Sequence, residues 1–431
     1  MKVAVLNNGC IRESAMDENI MSKMDKYGIE RAESLEESDY LIYITCAGVG
    51  DTIKKNLQEL QFLDYYSKKK DFKIIIVGCL VINHGYLFDR FKDNDNIKII
   101  NNKEWVIPVI NYINDMNKRN TFKEKLLNRT CHLDRVNVGI QFMMQEGCTN
   151  KCTFCKVHYL DHELSSVPYE LALNYLTDLI RKKGTKQIAL NGDNLTLYGL
   201  DLYGKKRLHE FIHDLSRVEG LEMISLNELV IGDMYKELLD EIITNPKVVS
   251  VGLQLETASN RLLKLMNRNY SIEEYDYYAR KIIESGKYVD TILMSGFPTE
   301  TIEDMDYTIN YIKDRRIITY GICEYSDFKY IPSSKLEQFP KREKRKHTNY
   351  LVDAKLKINY DIFLEEMPKQ TKLVYKEGVN GIHFISNPIP CITTISTSNR
   401  FNDLQPGDII NEAPRRLVKN NKYTKKTTYK I

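Results

Sequence analysis

The sequence predicts an α/β protein: an N-terminal doubly wound parallel sheet, a central partial (β/α)6 barrel and a small β-rich C-terminal region. Short apolar runs alternate with helical patterns along most of the chain, which is typical of parallel sheets covered by helices. At 431 residues the chain is too long for one compact core. We therefore expect domains over residues 1–114, 137–367 and 368–431, joined by a polar, charged linker over residues 115–136.

Four buried strands are predicted in the N-terminal domain, at Val3–Asn7, Tyr40–Thr45, Lys73–Val77 and Ile97–Ile100. Between them lie helical patterns, including one over residues 52–68. Cys10, Cys46 and Cys79 lie at or just beyond the C-terminal ends of three of these strands, where ligands gather in such sheets. A single buried cysteine is commonly only a core filler. Three cysteines at equivalent strand ends indicate a common site.

Six further strands, alternating with longer helices, fit a barrel with one side missing. The predicted helices include residues 169–183 and 272–285, and the predicted strands are Gly139–Met144, Gln187–Asn191, Met223–Leu226, Val248–Leu255, Val289–Met294 and Thr319–Glu324. The open side would leave room for a macromolecular substrate. Functional residues are expected at the C-terminal ends of these strands.

The C-terminal part begins with a charged helix from Lys341 to about Glu366, which Pro368 ends. Its charge pattern favours a solvated face over a binding surface. Beyond it, the β-branched run 392–397 and turn residues at 405–408 predict a small β-rich domain. From Arg415 onward the tail carries basic residues and no acidic ones.

Three cysteines, Cys148, Cys152 and Cys155, follow the apolar run 140–144 at Cys-x3-Cys-x2-Cys spacing. Three thiolates on one tight loop can bind three corners of a cubane iron–sulfur cluster and leave the fourth iron open. The alternative is a structural zinc site with His158 as the fourth ligand. The cluster is favoured, because structural zinc sites usually pair two knuckles of two cysteines each.

Composition restricts the remaining possibilities. The net charge of +3 is a small difference between 62 basic and 59 acidic residues, so it indicates no particular partner. No run of about 18 apolar residues predicts a membrane span, and the N-terminus lacks a signal-peptide pattern. Nine cysteines in such a chain argue for ligands or free thiols, and Cys131 is interpreted as a free thiol. We expect a cytoplasmic protein.

The cysteine loop at residues 146–155 resembles the radical S-adenosylmethionine (SAM) superfamily, and the two cysteine trios together resemble its methylthiotransferases. The resemblance runs from about Met1 to about Lys341. It implies a TIM-like partial barrel, a SAM-cleaving [4Fe–4S] cluster on Cys148, Cys152 and Cys155, and an auxiliary [4Fe–4S] cluster on Cys10, Cys46 and Cys79. The C-terminal segment weakly resembles the substrate-gripping β-barrel of this family, called TRAM.

Several segments at strand ends are similar to the family's SAM-binding motifs. The residues that the resemblance assigns to SAM are Asp193, Asn194, Glu256, Ser259, Arg268, Gly296, Phe297 and Pro298. Asp193 stands where relatives usually carry glutamine. Taken singly, each segment fits an ordinary turn or helix cap. Their order at successive strand ends favours a cofactor cradle.

The reaction that the resemblance implies has two halves. One SAM methylates a sulfur associated with the auxiliary cluster, and another is reduced to methionine and a 5′-deoxyadenosyl radical. The radical takes hydrogen from an unactivated C–H bond, and the carbon radical recombines with the methylated sulfur. Such an enzyme needs a reducing partner, such as flavodoxin or ferredoxin, and we expect it to be a monomer.

The family divides between enzymes that modify tRNA adenosines and enzymes that modify a ribosomal protein, with more distant members acting on peptides. Family arginines are absent at residues 160–166 and 325–332. Since phosphate contacts dominate nucleic-acid affinity, these absences favour a peptide or protein substrate. The basic tail keeps tRNA as the alternative. A third hypothesis is a non-catalytic iron–sulfur protein that binds RNA.

Overall fold

The computed structural model describes most of residues 2–116 and 140–366, together with six strands beyond them. Described residues are 2–8, 20, 24, 29–32, 34–47, 50–70, 72–102, 105–116, 140–158, 163–328 and 330–366, and the strands 373–379, 382–386, 393–396, 409–410, 416–418 and 428–430. The chain divides into two compact units, Met1–Leu133 and Asp134–Ile431. The predicted linker over 115–136 lies almost entirely outside the described residues. The finer division of the chain into domains stays a prediction.

The first unit contains a five-stranded parallel sheet in the order β2-β1-β3-β4-β5. Its strands are β1 (Lys2–Asn7), β2 (Glu30–Arg31), β3 (Tyr40–Thr45), β4 (Lys73–Gly78) and β5 (Ile97–Ile99), and its helices are α1 (Gly50–Lys70), α2 (Cys79–Asn83) and α3 (Val106–Met116). Short 3₁₀ helices cover Leu35–Glu37 and Gly85–Phe91. This is a doubly wound order, in which ligands bind where the strand order reverses, between β1 and β3.

Both faces of this sheet are covered, which confirms the predicted fold class for this part of the chain. Along β3, Ile42 and Ile44 pack with Trp105 on one face, while Leu41 and Tyr43 belong to the apolar cluster on the other. Burial on both faces explains why these strands are apolar throughout rather than alternating.

The second unit contains a seven-stranded sheet in the order β12-β11-β10-β9-β8-β6-β7. The strands are β6 (Ile140–Glu146), β7 (Ser165–Ser166), β8 (Gln187–Gly192), β9 (Met223–Leu229), β10 (Val248–Leu253), β11 (Tyr288–Ser295) and β12 (Ile318–Glu324). The six predicted strands are all present and parallel. Strand β7 was not predicted: it is two residues long and pairs antiparallel with the end of β6.

Helices cover the outer face of this sheet. They are α4 (Tyr169–Lys183), α5 (Leu200–Tyr203), α6 (Leu208–Ser216), α7 (Lys236–Thr244), α8 (Asn260–Leu265), α9 (Ile272–Glu284), α10 (Ile302–Asp314) and α11 (Lys341–Glu366), with short 3₁₀ turns at Leu195–Leu197, Ile231–Asp233 and Pro332–Lys335. Gly184, at a φ of 69°, ends α4 where the helical pattern stops. Ser271 and Thr301 begin α9 and α10 with capping boxes.

Side chains mostly alternate between the two faces of the barrel strands, with irregularities where the pairing register shifts. Outward positions join the main apolar cluster, including Phe142, Ile188, Ile224, Val251 and Val289. The alternate, inward positions are mostly polar or small, including Gln141, Gln145, Asn191, Ser225, Asn227, Ser250, Gly252 and Asp290. The inner face of the barrel is therefore built for polar ligands rather than for a dry core.

Helix α11 covers β12, the edge strand of the sheet. The Asn359 side chain accepts the Thr319 backbone N–H at 3.0 Å and donates to the Thr319 carbonyl at 2.8 Å, while Lys355 donates to the Tyr320 carbonyl at 2.8 Å. The predicted bounds of this helix are correct. The predicted solvated face is accompanied by a buried stripe that was not predicted, at Lys344, His347, Leu351, Ile358, Ile362 and Phe363.

The C-terminal region contains six strands in the order β16-β13-β14-β15-β18-β17. They are β13 (Leu373–Val379), β14 (Ile382–Ser386), β15 (Thr393–Ser396), β16 (Ile409–Ile410), β17 (Arg416–Val418) and β18 (Thr428–Lys430). The region is β-rich, as predicted. Among the helices that the structure describes, none is both long enough and apolar enough to cross a bilayer.

Candidate active site

The loop carrying Cys148, Cys152 and Cys155 leaves the C-terminal end of β6 and is tied to elements far away in sequence. Gly147 begins the loop at a φ of 79°, and its N–H donates to the Asp193 carboxylate at 2.7 Å. In the middle of the loop, the Thr153 N–H donates to the Met266 carbonyl at 2.9 Å. These contacts fix the loop against the end of β8 and the end of α8.

The segment after β12 holds the other side of the loop. Ser333 donates to the Thr153 carbonyl twice, from its backbone N–H at 3.1 Å and from its hydroxyl at 2.8 Å. On the α8 side of the loop, Asn267, which follows that helix, donates to the Lys151 carbonyl at 2.8 Å. A loop bonded on both sides presents its three thiols in one fixed arrangement.

The sulfur atoms receive N–H donors, as iron-bound thiolates do. Cys148 Sγ lies 3.4 Å from the Asn150 backbone nitrogen and 3.6 Å from Asn194 Nδ2. Cys152 Sγ lies 3.5 Å from Arg268 Nη1. Donors aimed at sulfur stabilise thiolate and tune the potential of a bound cluster.

Burial raises the pKa of the Cys148 thiol, and it raises the pKa of Cys155 to about 12. Repulsion from Cys152 adds to both shifts, which indicates that the three sulfurs face a common region. Without a metal the Cys148 and Cys155 thiols would stay protonated at neutral pH, whereas a coordinated metal deprotonates a thiol outright. The donor set therefore fits a group that supplies positive charge.

The chemistry of three thiols on one loop fits a [4Fe–4S] cluster, because a cubane distributes its cysteines over different irons. Within the described residues, no three His, Cys, Asp or Glu side chains lie close enough together to hold one ion. The assignment of the three cysteines to a cluster stays a prediction.

Asn194 and Asp193 lie directly beside the cysteine loop. The Asn194 N–H donates to Gln145 Oε1 at 2.9 Å, and its side-chain nitrogen donates to Asp233 at 2.7 Å. Its side-chain oxygen is buried and has no hydrogen-bond partner among the described residues. An unsatisfied buried acceptor costs about 1–3 kcal/mol, so a donor from a bound molecule suits this position.

Glu256 and Arg268 meet on the opposite side of the loop. Glu256 has a φ of 64°, and its backbone bonds to Ile292 and Met294 of β11 at 3.1 and 2.9 Å. Its carboxylate lies 3.9 Å from Arg268 Nη1. The guanidinium also donates to the Gln254 carbonyl at 3.1 Å, so Arg268 connects Cys152 to the end of β10.

Ser259 occupies a structural position. Its hydroxyl caps α8 by accepting the Leu262 N–H at 3.4 Å, and it donates to Asp304 at 2.6 Å. These contacts occupy the hydroxyl, although its predicted role toward SAM stays a prediction.

The Gly296-Phe297-Pro298 turn shares an apolar cluster with the cysteine loop. Phe297 is fully buried, and Phe154 of the cysteine loop packs against the same cluster. Gly296 has a φ of 68°, and a Cβ there would lie 3.0 Å from Lys344 Cγ. Its N–H donates to Glu300 at 2.7 Å, and Glu300 in turn lies 2.8 Å from His347 Nδ1. Helix α11 thus contacts the turn through Lys344 and, by way of Glu300, through His347.

Two acidic residues of the barrel were missed by the sequence analysis. Glu228 ends β9 with a φ of 62°, and burial together with repulsion from Glu256 and Asp290 raises its pKa to about 8. Burial raises the pKa of Asp290, on the inner face of β11, to about 7. An acidic residue inside a buried strand was the available signal, since such a position is rarely charged without a function.

In the first unit, Cys46 and Cys79 follow neighbouring strands. Thr45 pairs with Gly78 in the parallel register of β3 and β4, so the two cysteines come next at the same edge. Gly78 has a φ of 101°, and a Cβ there would lie 2.4 Å from the Thr45 carbonyl oxygen, so only glycine fits. Cys10 lies outside the described residues.

Two family models match the chain. A model described as the radical SAM superfamily matches residues 142–312, and one described as the uncharacterized protein family UPF0004 matches residues 2–98. The ribosomal protein uS12 methylthiotransferase RimO of Clostridium botulinum is 27% identical over 87% of this chain and 86% of its own. The threonylcarbamoyladenosine tRNA methylthiotransferase MtaB of Aquifex aeolicus is 28% identical over 88% of this chain and 94% of its own.

The two family models and these relatives together support a member of the radical SAM methylthiotransferase family. They also support SAM and [4Fe–4S] clusters as its cofactors, two clusters being typical of that family. Which residues hold each group stays a prediction.

Solved structures agree on the fold of this methylthiotransferase. The radical SAM methyltransferase TsrM of Kitasatospora setae matches with a TM-score of 0.54 and 11% identity, over 77% of this chain and 74% of its own. The cobalamin-dependent SAM radical enzyme OxsB matches with a TM-score of 0.51 and 13% identity, over 86% of this chain and 62% of its own. At these identities the likeness concerns the fold alone.

Proposed function

We propose that this methylthiotransferase adds a methylthio group to an unactivated C–H bond of a peptide or protein side chain. In this proposal Cys148, Cys152 and Cys155 hold the SAM-cleaving cluster, and Cys10, Cys46 and Cys79 hold the auxiliary cluster. The bound clusters would supply the electron that cleaves SAM and the site at which sulfur is methylated. Cytoplasmic location and a flavodoxin or ferredoxin as reductant belong to the same proposal.

The observation that carries the choice of substrate is the acidity of the barrel mouth. Glu228, Glu256 and Asp193 lie at strand ends around Arg268, and Asp290 lies on the inner face below them. Burial raises the pKa of Glu228 to about 8 and that of Asp290 to about 7, so these groups act partly as neutral acids. A mouth lined by carboxyl groups favours neutral or cationic groups and offers phosphates few positive partners. A target nucleotide would bring its flanking phosphates close to this mouth, whereas a polypeptide side chain brings none.

The same carboxyl groups suit the cosubstrate. SAM carries a sulfonium and an ammonium group, both positive, and one carboxylate. We assign its cradle to the predicted residues at the strand ends, with Asn194 and Glu256 on two sides of the cysteine loop. The unpartnered Asn194 oxygen supports this assignment, because it would accept an N–H or O–H from SAM.

A tRNA adenosine is the second candidate substrate. Support comes from the MtaB relative, whose name refers to a tRNA nucleoside and whose identity to this chain, 28%, is no lower than that of RimO. The basic tail beyond Arg415 also suits RNA.

Mass spectrometry of protein digests and of RNA nucleosides, from cells with and without this enzyme, tests the proposal. We expect a peptide with a methylthio mass increment that disappears on deletion and returns with the intact gene. Cells carrying Cys155→Ala are the matched control and should lack the product. A methylthio nucleoside that follows the same pattern, with no modified peptide, would contradict the polypeptide substrate and favour tRNA.

A further inference from the structure

Asp233 lies beside the cysteine loop and belongs to none of the predicted motifs. It ends the 3₁₀ turn Ile231–Asp233 that follows β9. Its carboxylate oxygen Oδ2 accepts Asn150 Nδ2 at 2.8 Å and Asn194 Nδ2 at 2.7 Å. One carboxylate oxygen thus joins the cysteine loop to the end of β8.

The Asn194 amide held by Asp233 is also a donor to Cys148, and the Asn150 side chain held by Asp233 belongs to the residue whose backbone N–H is the second donor. The Asn150 backbone nitrogen lies 3.4 Å from Cys148 Sγ, and Asn194 Nδ2 lies 3.6 Å from it. An ionised carboxylate can only accept hydrogen bonds. Asp233 therefore requires the NH₂ group of Asn194 to face both itself and the sulfur, with the Asn194 oxygen turned away.

Asp233 is itself held in place. Its carbonyl accepts Lys206 Nζ at 2.6 Å, and its side chain is only 15% exposed. The preceding residue, Gly232, leaves the space that the Asn269 side chain occupies, since a Cβ there would lie 2.0 Å from Asn269 Oδ1. Asn269 in turn donates to Asn150 Oδ1 at 3.3 Å. The carboxylate is thus fixed in place, with Lys206 Nζ 4.0 Å from its Oδ1, and its Oδ2 is hydrogen-bonded to a donor to Cys148.

We propose that Asp233 is a positioning residue for the cluster on Cys148, Cys152 and Cys155, and that its charge lowers the reduction potential of that cluster. The carboxylate orients the Asn194 donor to Cys148 directly and anchors the side chain of Asn150, while its negative charge disfavours the electron that reduction adds. Arg268 places the opposite charge at Cys152. This inference depends on the proposed assignment of the cluster to these three cysteines.

The test is a redox titration monitored by electron paramagnetic resonance on the full chain. Cys10, Cys46 and Cys79 are first replaced by Ala, so that one cluster remains. In this background Asp233→Asn removes the charge and keeps an acceptor for both amides. Asp240→Asn removes an equal charge from an exposed position of α7 and is the matched control.

We expect Asp233→Asn to shift the midpoint to higher potential and Asp240→Asn to leave it unchanged. Equal midpoints for the two variants would overturn the proposal, because a merely structural role would not move the potential. If Asp233→Asn does not fold, Asn150→Ala tests the same contact from the loop side. Asn150→Ala should then release iron to a chelator faster than the parent. Release at the parent rate would overturn the proposal.

A separate control distinguishes this inference from the proposed function. Cys148→Ala in the same background should abolish the signal. A signal that survives Cys148→Ala would refute the assignment of the cluster, whatever the result at Asp233. A signal lost in Cys148→Ala, with no effect of Asp233→Asn, would refute only the role of Asp233.

Discussion

Glu228 and Asp290 illustrate how burial changes a residue's chemistry. Both are carboxylic acids, yet burial raises their pKa values to about 8 and about 7, respectively. Glu228 is therefore largely protonated at neutral pH and can donate a hydrogen bond, which an ionised carboxylate cannot do. A protonated Glu228 can donate a hydrogen bond to a substrate, and any neighbouring carboxyl group that is ionised can accept one.

The raised pKa of Glu228 predicts a specific dependence of stability on pH. Between its ordinary pKa of 4.5 and about 8, the folded chain holds a proton that the unfolded chain has lost, so stability falls as pH rises through this range. Glutamine does not titrate, so Glu228→Gln should remove this pH-dependent fall in stability. The thermal unfolding midpoint of the metal-free variant should exceed that of the parent at pH 8.5, with the difference shrinking toward pH 5.

Glu219→Gln is the control, since Glu219 is exposed and should show no such trend. A difference between Glu228→Gln and the parent that stays constant from pH 5 to 8.5 would show that Glu228 titrates normally.

Spacing in the sequence was enough to single out the cysteines, because three thiols on one loop and three at strand ends are rare by chance. Spacing could not identify Asp233 or Glu228. Asp233 acts through Asn150 and Asn194, which are 83 and 39 residues away, and no local pattern encodes such a contact. Arg268 was recognised, but its contact with Cys152, 116 residues away, needed the structure.

At the scale of elements, α11 closes the edge of the barrel sheet. An exposed edge strand offers unpaired backbone groups to other chains. Asn359 satisfies two such groups on Thr319. The helix thus stabilises β12 where it starts, and Thr348 of the same helix donates to Glu324 at the end of the strand at 3.0 Å.

Asn359→Ala should destabilise the chain by about 2 kcal/mol, because it leaves the N–H and C=O of Thr319 without their partner. Chemical denaturation of the metal-free chain measures the change. Asn349→Ala, on the exposed side of the same helix, should change the stability by less than about 0.5 kcal/mol. Equal effects of the two substitutions would mean that Asn359 does not protect the edge.

A second contact of α11 predicts an effect of pH. The hydrogen bond to Glu300 raises the pKa of His347 above 6.5. The stabilisation is therefore fully present below pH 6.5 and disappears as pH rises through the raised value. His347→Gln keeps a neutral donor to Glu300 and removes the charge.

The parent should be more thermostable than His347→Gln at pH 6, and the two should converge at pH 9. His213→Gln is the control, because the His213–Glu241 pair is 3.5 Å apart but His213 is 53% exposed. A gap between the parent and His347→Gln that widens with rising pH would contradict the assigned direction.

Across the whole molecule, alternating apolar and helical patterns were sufficient to predict the class of each part. The ten longer strands of the two parallel sheets appear where they were predicted. The strands of the first sheet are apolar on both faces, and those of the barrel carry apolar residues on the outer face. Strand β7 escaped prediction because Ser165 and Ser166 pair through the backbone alone. The buried stripe of α11 was also missed, since Lys344 buries its stem against Gly296 while its ammonium lies 4.8 Å from the Tyr325 ring.

Both units place cysteines at the C-terminal edge of a parallel sheet, and the central claim is that the two trios have separate tasks. Iron analysis combined with SAM-cleavage and methylthio-transfer assays tests it most directly. The anaerobically reconstituted parent should hold about eight irons per chain, as two cubanes require. Replacing Cys148, Cys152 and Cys155 by Ala should leave about four irons and abolish 5′-deoxyadenosine formation. Replacing Cys10, Cys46 and Cys79 by Ala should also leave about four irons, with SAM cleavage retained and methylthio transfer lost. Methylthio transfer by this second variant would contradict the account. A parent with only about four irons would contradict it as well.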